Sequence, residues 1–275
     1  MTGVLRPYRA IVSARFRMLL QYRAAAVAGL WTQVFFGLTL IMIYEAFYRS
    51  STAAPPMALP RLVTYVWLGQ ALLAMLPWNA DPEVREMVRS GAIAYELARP
   101  IDLYGLWYAR AVAQRTAPTV LRAAPMAVFA GIVLPVIGEP QWRLAAPPSL
   151  AAAVGFALAL VCALALASAI SVLVNISLMW TINGDGIVML LSSVVSLCSG
   201  LLIPLPLFPD AAQRVLAWLP FAGLFDRPFR IYTGDLVPGE VAMVIARQIG
   251  WTVCLIALGR WLLGRGLGRV VVQGG

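Results

Sequence analysis

The sequence contains no histidine and no lysine, and all 21 of its basic residues are arginine. Without these two residue types the chain cannot build a Ser-His-Asp or Cys-His catalytic group, a histidine-ligated metal site or a Schiff base on lysine. It also lacks the common phosphate-binding loop, which ends in Lys-Ser or Lys-Thr. We therefore expect a chain that performs little covalent chemistry and does not hydrolyse ATP itself.

Charge of either sign is scarce as well. Only 12% of the 275 residues are charged, 61% are hydrophobic, and the mean hydropathy is +0.82. Soluble domains have about 25% charged and about 45–50% apolar residues. A single soluble core of this size cannot hide so much apolar surface. The composition therefore predicts an all-α, polytopic membrane protein.

Cysteine is also rare, and Cys162, Cys198 and Cys254 each lie in a long apolar run. Disulfide frameworks belong to loop-rich secreted domains, so we expect buried free thiols, and with no histidine we expect no metal or cofactor bound by this chain. The net charge of +9 raises the question of nucleic acid. Because the arginines lie beside apolar runs, the positive-inside rule explains them better, and we expect no nucleic-acid partner.

Six apolar stretches approach the length of about 20 residues that crosses about 30 Å of hydrocarbon. The fourth carries a small residue at every fourth position from Ala151 to Ser171. Such a stripe lets another helix approach closely, although a generally alanine-rich span would show the same pattern. The six predicted spans are Ala24–Phe47, Leu62–Pro77, Pro118–Ile137, Leu150–Val174, Ile187–Leu205 and Val241–Leu263.

The distribution of arginine around these stretches predicts the orientation of the chain. Thirteen arginines lie before the first span, between the second and third spans or after the core of the sixth, and six lie in the alternate segments. Because arginine accumulates on the cytoplasmic side, we expect both termini in the cytoplasm. We also expect the protein in a bacterial plasma or inner membrane. Residues 1–23 then precede one six-helix transmembrane domain, residues 24–275.

The N-terminal segment has the pattern of a helix with two faces. Tyr8, Ile11 and Leu19 are among the apolar residues at helical spacing, whereas Arg9 and Arg17 lie on another face. This pattern predicts an amphipathic helix in the cytoplasmic membrane interface. A plain arginine-rich flank with no special role is the alternative.

The loop after the second predicted span is the most structured polar part of the sequence. Asp81 suits an N-cap, Pro82 the first helical position, and Glu83 the positive end of a helix dipole. Gly91 provides a C-terminal stop, and Arg99–Pro100 disfavours further helix. The loop therefore predicts a charged helix of about two turns, which serves either as a docking element for a cytoplasmic partner or as a solvated connector.

The segment between the fifth and sixth predicted spans, residues 204–240, is too apolar for a free loop. Three prolines interrupt the end of the fifth span, and Asp210 with Gln213 resembles a capping box for a short helix. Its aromatic residues favour a membrane interface, where irregular backbone survives only against protein or water. These features predict a re-entrant hairpin on the outer side.

Polar residues within the spans are costly and usually functional. Arg247 lies about two turns into the sixth span and needs a partner, for which Glu240 and Glu45 are available. Together with Gln33 and Gln248 these groups could line a polar path. Structural pairing of each residue is the simpler alternative.

Several short segments resemble, in their order along the chain, the membrane subunits of type-2 ABC transporters, which work with a separate ATPase and mostly export their substrate. The resemblance is closest to the six-span branch that is encoded beside a second similar permease. The segments are Gln21–Arg23, Arg89–Gly91, Glu96–Asp102, Ile203–Pro204, Leu219–Phe221, Tyr232–Gly234 and Gly268–Gly274.

The resemblance implies a role for each part of the chain, and no catalytic residue in it. Residues 1–23 are implied to be the interfacial connecting helix, residues 81–100 a coupling helix that docks in a cleft of the ATPase, and residues 204–240 an outer hairpin that gates substrate exit. The implied coupling residues are Asp81, Pro82, Glu83, Arg85, Glu86, Arg89, Gly91, Glu96, Arg99 and Pro100; the gate residues are Pro204, Pro206, Pro209, Leu219, Pro220 and Phe221; and the path residues are Gln33, Glu45, Arg247 and Gln248.

The same resemblance implies the partners. These are two copies of an ABC ATPase, which would bind ATP and magnesium, a second permease that is identical or homologous, and membrane lipids. A secondary transporter or channel subunit not driven by ATP is the alternative. It predicts inverted repeats, broken helices and midplane carboxylates, and the sequence has few carboxylates and no convincing repeat. An intramembrane enzyme is disfavoured by the missing histidine and lysine.

Overall fold

The regular structure of the chain is helical. The computed structural model describes residues 6–21, 23–52, 55–181 and 185–268, and no strand occurs in these ranges. The helices are α1 (Arg6–Leu19), α2 (Arg23–Ser50), α3 (Leu59–Leu72), α4 (Pro82–Ser90), α5 (Ile93–Leu97), α6 (Leu103–Val128), α7 (Leu134–Val136), α8 (Leu150–Ser177), α9 (Asp185–Cys198), α10 (Asp210–Trp218), α11 (Asp226–Tyr232) and α12 (Pro238–Leu267).

Four helical stretches are long and apolar enough to cross a membrane: Val27–Ser50, Leu103–Val136, Leu150–Ser177 and Gly239–Leu267. They contain most or all of the first, third, fourth and sixth predicted spans. The chain is therefore an all-helical, multi-pass membrane protein, as its composition predicted.

The second of these helical stretches, which contains the third predicted span, begins much earlier than predicted, at Leu103 instead of Pro118. Asp102 caps α6, because its Oδ2 accepts a hydrogen bond from the Gly105 N–H at 2.8 Å. The helix then runs through Arg110 and Arg115 to Pro118, a stretch expected to precede the third span. That expectation is wrong: both arginines lie in the helix, buried inside the protein with polar partners.

The second and fifth predicted spans are short helices. Helices α3 and α9 have 14 residues each, which corresponds to about 21 Å of rise and less than the hydrocarbon thickness of about 30 Å. All residues of α3 from Leu62 to Leu72 are buried. Four long helices are thus found in the described part of the chain, and six crossings stay a prediction.

Helix α8 packs through the stripe of small residues that its sequence predicted. Gly155, Ala159, Ala163 and Ser171 are all buried, and α12, α6 and α11 lie against this helix. A Cβ atom on Gly155 would lie 3.1 Å from Ile231 and 3.2 Å from Val241. The small side chains therefore permit close helix contact, as expected.

Helix α1 has the two faces that its pattern predicted, and it lies along α6. Tyr8 packs so closely on α6 that a Cβ atom on Gly105 would lie 2.8 Å from its ring. The three cysteines are free thiols, as expected, but the expected burial is wrong, because Cys254 is exposed and Cys162 and Cys198 are half-buried. Side chains on the lipid-facing side of a membrane helix are exposed in the isolated protein, which explains this difference.

The contact between α2 and α3 yields a stability prediction. A Cβ atom on Gly37 would lie 2.6 Å from Cζ3 of Trp67, and the Trp67 indole is fixed by a 2.7 Å hydrogen bond to the Trp142 carbonyl. Gly37→Leu should therefore lower the free energy of unfolding by about 1–3 kcal/mol. The measurement is the midpoint of thermal unfolding in detergent.

The matched control is Gly250→Leu, a substitution of the same kind in α12. No atom lies within 4 Å of a Cβ at Gly250, so this variant should unfold at the wild-type temperature or above. Equal midpoints for the two variants would contradict the close contact at Gly37.

Candidate functional site

Helix α4 has the ends that its sequence predicted. The Asp81 carboxylate accepts a hydrogen bond from the Glu83 N–H at 2.9 Å, and Pro82 occupies the first turn. Gly91 ends the helix with φ = +74°, a left-handed conformation that suits glycine. Local chemistry therefore sets both boundaries of α4.

A cluster of opposite charges, Asp81 and Glu83 with Arg15 and Arg110, holds the N-terminus of α4. Arg110 of α6 approaches Asp81 at 3.3 Å, and Arg15 of α1 approaches it at 3.7 Å. Both arginines also pair with Glu83. The Asp81 side chain is only 1% exposed, and a buried carboxylate is tolerated only with such partners. The cluster therefore ties α4 to α1 and α6.

The segment that leads from α3 into α4 is held by two further buried polar residues. Arg115 of α6 donates to the carbonyls of Leu76 at 2.6 Å and Asn79 at 3.3 Å. The Asn175 side chain of α8 accepts from the Asp81 N–H at 2.8 Å. Arg115 is 6% exposed and Asn175 3%. The segment between α3 and α4 is thus fixed to α6 at its beginning and to α8 at its end.

The opposite side of α4 and α5 faces solvent. Arg85, Glu86 and Arg89 follow one another along the exposed side of α4, while the Tyr95 and Leu97 side chains of α5 are 79% and 48% exposed. We call these five residues the docking face. Exposed aromatic and arginine side chains with a few other charges are typical of protein interfaces.

The docking face is rigid because the other side of the same two helices is buried. Val84 of α4 and Ile93 of α5 are fully buried, in a cluster that includes Trp107 of α6 and Val172 of α8. Glu96 is also buried and pairs with Arg99 at 3.2 Å. Of the coupling residues implied by sequence, Asp81, Glu83 and Glu96 therefore take part in ion pairs that stabilise the unit, while Pro82 and Pro100 are exposed at its edges.

At the far end of α3, a second buried carboxylate organises the hairpin segment, residues 204–240. Asp226 is fully buried and accepts hydrogen bonds from the Leu205 N–H at 3.1 Å and from the Tyr65 hydroxyl at 3.2 Å. Arg230 and Arg227 approach its other oxygen at 3.9 and 4.0 Å. Burial raises the pKa of Asp226 above its ordinary value, and the two arginines oppose this rise.

The backbone beside Asp226 leaves no room for a side chain. Gly200 has φ = +82°, and a Cβ atom there would lie 2.5 Å from the Tyr65 hydroxyl and 2.9 Å from Cβ of Asp226. The Tyr65 hydroxyl also donates to the Gly200 carbonyl at 2.9 Å, and the Asp226 N–H donates to the Ser199 carbonyl at 3.0 Å. Helix α3, the end of α9 and the hairpin segment therefore meet at this point.

The predicted gate residues form the two irregular turns around α10. Pro204 and Pro220 are buried, and Pro209 is exposed immediately before the helix. The predicted capping box is wrong: Pro209 is the N-cap, and the Gln213 side chain donates instead to the carbonyls of Phe208 at 2.7 Å and Pro206 at 3.2 Å. The proline-rich turn leaves these carbonyls unpaired, and Gln213 satisfies them. Pro206, Leu219 and Phe221 are partly buried in the same turns.

The four residues predicted to form a path lie in two places: Gln33 and Glu45 belong to α2, whereas Arg247 and Gln248 of α12 line one cavity with Glu240. Glu45 pairs with Arg49 at 2.6 Å and accepts a hydrogen bond from the Trp142 indole at 2.9 Å. Its partners are therefore these two residues and not Arg247. Gln248 donates to two backbone carbonyls. Gln33 is 3% exposed, and neither atom of its amide has a hydrogen-bond partner in the described part of the chain.

Sequence reasoning missed the residues that hold these sites together. Arg110 and Arg115 lie in α6 and not in the connection before the third span. The local signal for this placement is Asp102, which caps the helix. Asn175, Tyr65 and Asp226 gave no local signal, because each one bonds to a residue more than 90 positions away in the sequence.

Comparison with known protein families gives a match over most of the chain. The model of a family described as ABC-2 family transporter protein matches residues 34–274, a range that includes the docking face and the hairpin segment. No curated protein matches the chain.

The environment of Asp226 predicts the effect of replacing it. Asp226→Ala leaves the buried Leu205 N–H without an acceptor and should lower the free energy of unfolding by about 1–3 kcal/mol. Asp226→Asn keeps an acceptor oxygen and should cost less. The measurement is thermal unfolding in detergent, with Asp210→Ala, an exposed aspartate of the same segment, as the control expected to stay within about 0.5 kcal/mol. Equal effects of the two alanine variants would contradict the role of Asp226.

Proposed function

This chain belongs to the ABC-2 family of transporter proteins and is a multi-pass membrane permease, and from that premise we propose that it works as the permease subunit of an ABC exporter. The ATP that drives transport is hydrolysed, with magnesium, on a separate ATPase. The permease itself forms the translocation pathway. It resides in a bacterial plasma or inner membrane with both termini in the cytoplasm, as the distribution of its arginines supports.

The docking face is the observation that carries this proposal. The chain has no lysine and no phosphate-binding loop, so ATP-driven transport would draw its energy from contact with another protein. Helices α4 and α5 present an exposed tyrosine and leucine beside two arginines and a glutamate, on a unit whose opposite side is fixed. A rigid, partly apolar and partly charged surface is suited to a protein partner.

Movement of the docking face would pass directly into the long helices. Asp81 and Glu83 pair with arginines of α1 and α6, and Asn175 of α8 accepts from the Asp81 backbone. Force on α4 therefore reaches α1 and α6 through ion pairs with charge-assisted hydrogen bonds, which are among the stronger contacts in proteins, and α8 through a neutral hydrogen bond. Closure of two ATPases against the permeases would shift these helices and change access to the pathway.

Helix α3 offers the route from the docking face to the hairpin segment. Arg115 holds the segment after α3 at Leu76, and Tyr65 of α3 contacts Asp226. These two positions are 11 residues apart, or roughly 16 Å along a helix. A rigid shift of α3 would therefore displace Asp226 and the turns around α10, which we propose form the exit gate.

The pathway itself is proposed to run along the interior side of α2. Gln33 is buried without a hydrogen-bond partner in the described part of the chain. One turn earlier, a Cβ atom on Gly29 would lie 2.8 Å from the Arg122 guanidinium of α6. A polar amide and a guanidinium between membrane helices are expensive unless they serve a function. The apolar exposed side of α2, which includes Trp31 and Phe35, is available to lipids or to a second permease, identical or homologous.

The proposal predicts that the charges of the docking face control coupling. The double variant Glu86→Lys with Arg89→Glu reverses two exposed charges and should leave the folded structure intact. It should lower ATP-driven substrate export from cells by at least about tenfold. The ATPase subunit that purifies with the tagged wild-type protein should be lost or should hydrolyse ATP without transport.

A matched control reverses an exposed pair elsewhere, Asp210→Lys with Arg214→Glu on α10. This variant should keep the ATPase bound at the wild-type level. Normal export by a preparation without any ATPase would overturn the proposal, as would full coupling in the docking-face variant.

A further inference from the structure

A cavity of about 270 Å³ lies between the hairpin segment and α12, away from the docking face. Its walls include the turn after α10, and its charged or amide side chains are Arg227, Glu240, Arg247 and Gln248. Positively and negatively charged groups beside the membrane helix α12 are costly and therefore require an explanation.

Two guanidinium groups provide the positive side of the cavity. Arg227 has Asp226 as its nearest carboxylate, at 4.0 Å, which is beyond hydrogen-bond distance. Arg247 lies over the Trp218 ring at 5.4 Å. Burial lowers the pKa of Arg227; the carboxylates of Asp226 and Glu240 oppose this shift, and the positive charges of Arg230 and Arg247 add to it. The two arginines thus repel each other and have hydrogen-bond donors to offer an anion, for which phosphate is well suited.

Two hydrogen-bond acceptors, on Gln248 and Glu240, also line the cavity. The Gln248 side chain is 2% exposed; its Nε2 donates to the carbonyls of Ala159 at 2.9 Å and Gly223 at 2.8 Å. These bonds fix the amide, and its buried Oε1 has no partner in the described part of the chain. Glu240 accepts from the Val237 N–H at 3.2 Å with one oxygen. An ammonium group fits these acceptors, because it carries a positive charge and three N–H donors.

An exposed apolar track continues from the cavity along the same side of α12. Trp251, Cys254, Leu258 and Trp261 follow Arg247 at intervals of three and four residues, which places them on one helix face. Cys254, Leu258 and Trp261 are exposed. From Arg247 to Trp261 the track measures about 21 Å, whereas one leaflet of the hydrocarbon core is about 15 Å thick. It can therefore accommodate an acyl chain.

We propose that this cavity binds the headgroup of a zwitterionic, amine-bearing phospholipid of the leaflet at the hairpin end. The phosphate contacts Arg227 and Arg247, the ammonium group contacts Glu240 and Oε1 of Gln248, and an acyl chain lies along the track. A lipid in this position joins the hairpin segment to α12. The inference goes beyond the proposed transport function and does not depend on an ATPase.

The test measures lipid binding to the purified full-length protein, by native mass spectrometry and by the fluorescence of Trp218 and Trp251 in detergent. The probes are phosphatidylethanolamine, phosphatidylglycerol, diacylglycerol and free phosphoethanolamine. Phosphatidylethanolamine should bind most tightly, and diacylglycerol, which lacks phosphate, should bind at least about tenfold more weakly. Free phosphoethanolamine that binds as tightly as the lipid would overturn the assignment to a phospholipid.

Variants separate the two halves of the site. Arg227→Gln with Arg247→Gln should weaken both phospholipids by at least about tenfold, whereas Arg214→Gln, an exposed arginine of α10 outside the cavity, should change neither. Glu240→Gln keeps an acceptor for the Val237 N–H and should remove the preference for phosphatidylethanolamine over phosphatidylglycerol.

Thermal unfolding of each variant shows whether it is folded. If the Arg227/Arg247 variant does not fold, Glu240→Gln alone decides the question. Wild-type binding in a folded Arg227/Arg247 variant, or an unchanged lipid preference in Glu240→Gln, would overturn the proposal. Failure of export with intact lipid selectivity would instead count against the proposed function alone.

Discussion

The buried carboxylate of Asp81 is the constraint on which the rest of this structure depends. Taking a carboxylate out of water is costly, and here the cost is offset only because Arg15 and Arg110 reach it from two other helices. The backbone of the same residue bonds to Asn175. As a result, α1, α4, α6 and α8 are held together around Asp81, and the docking face is presented at a fixed position.

A second buried carboxylate, Asp226, has the corresponding role at the other end of α3. Tyr65 and the Leu205 N–H satisfy one of its oxygens, and two arginines lie near the other. Helix α3 is buried between these two polar centres and so joins the docking face to the hairpin segment. The coupling to an ATPase that we propose would use this connection.

Interactions between residues close together in the sequence were predictable, whereas those between distant residues were not. The caps of α4 were predictable, because Asp81, Pro82 and Gly91 act within their own helix. The start of α6 has a local signal too, the Asp102 cap, but Arg115 looks like a loop arginine until its bond to a carbonyl 39 residues earlier is known. The centre at Asp226 joins residues 161 positions apart. Pairing over such distances is decided by tertiary packing, which no local pattern encodes.

The central claim is that buried charges hold α4 rigid although one side of it faces water. Amide hydrogen exchange of residues 82–97 in the purified protein tests this most directly, because helices as short as α4 and α5 are unstable alone. Slow exchange is expected in the wild-type protein. In Arg115→Gln, exchange of these residues should become fast while the middle of α8 stays protected. Fast exchange of α4 in the wild type, or equal exchange in the variant, would contradict the account.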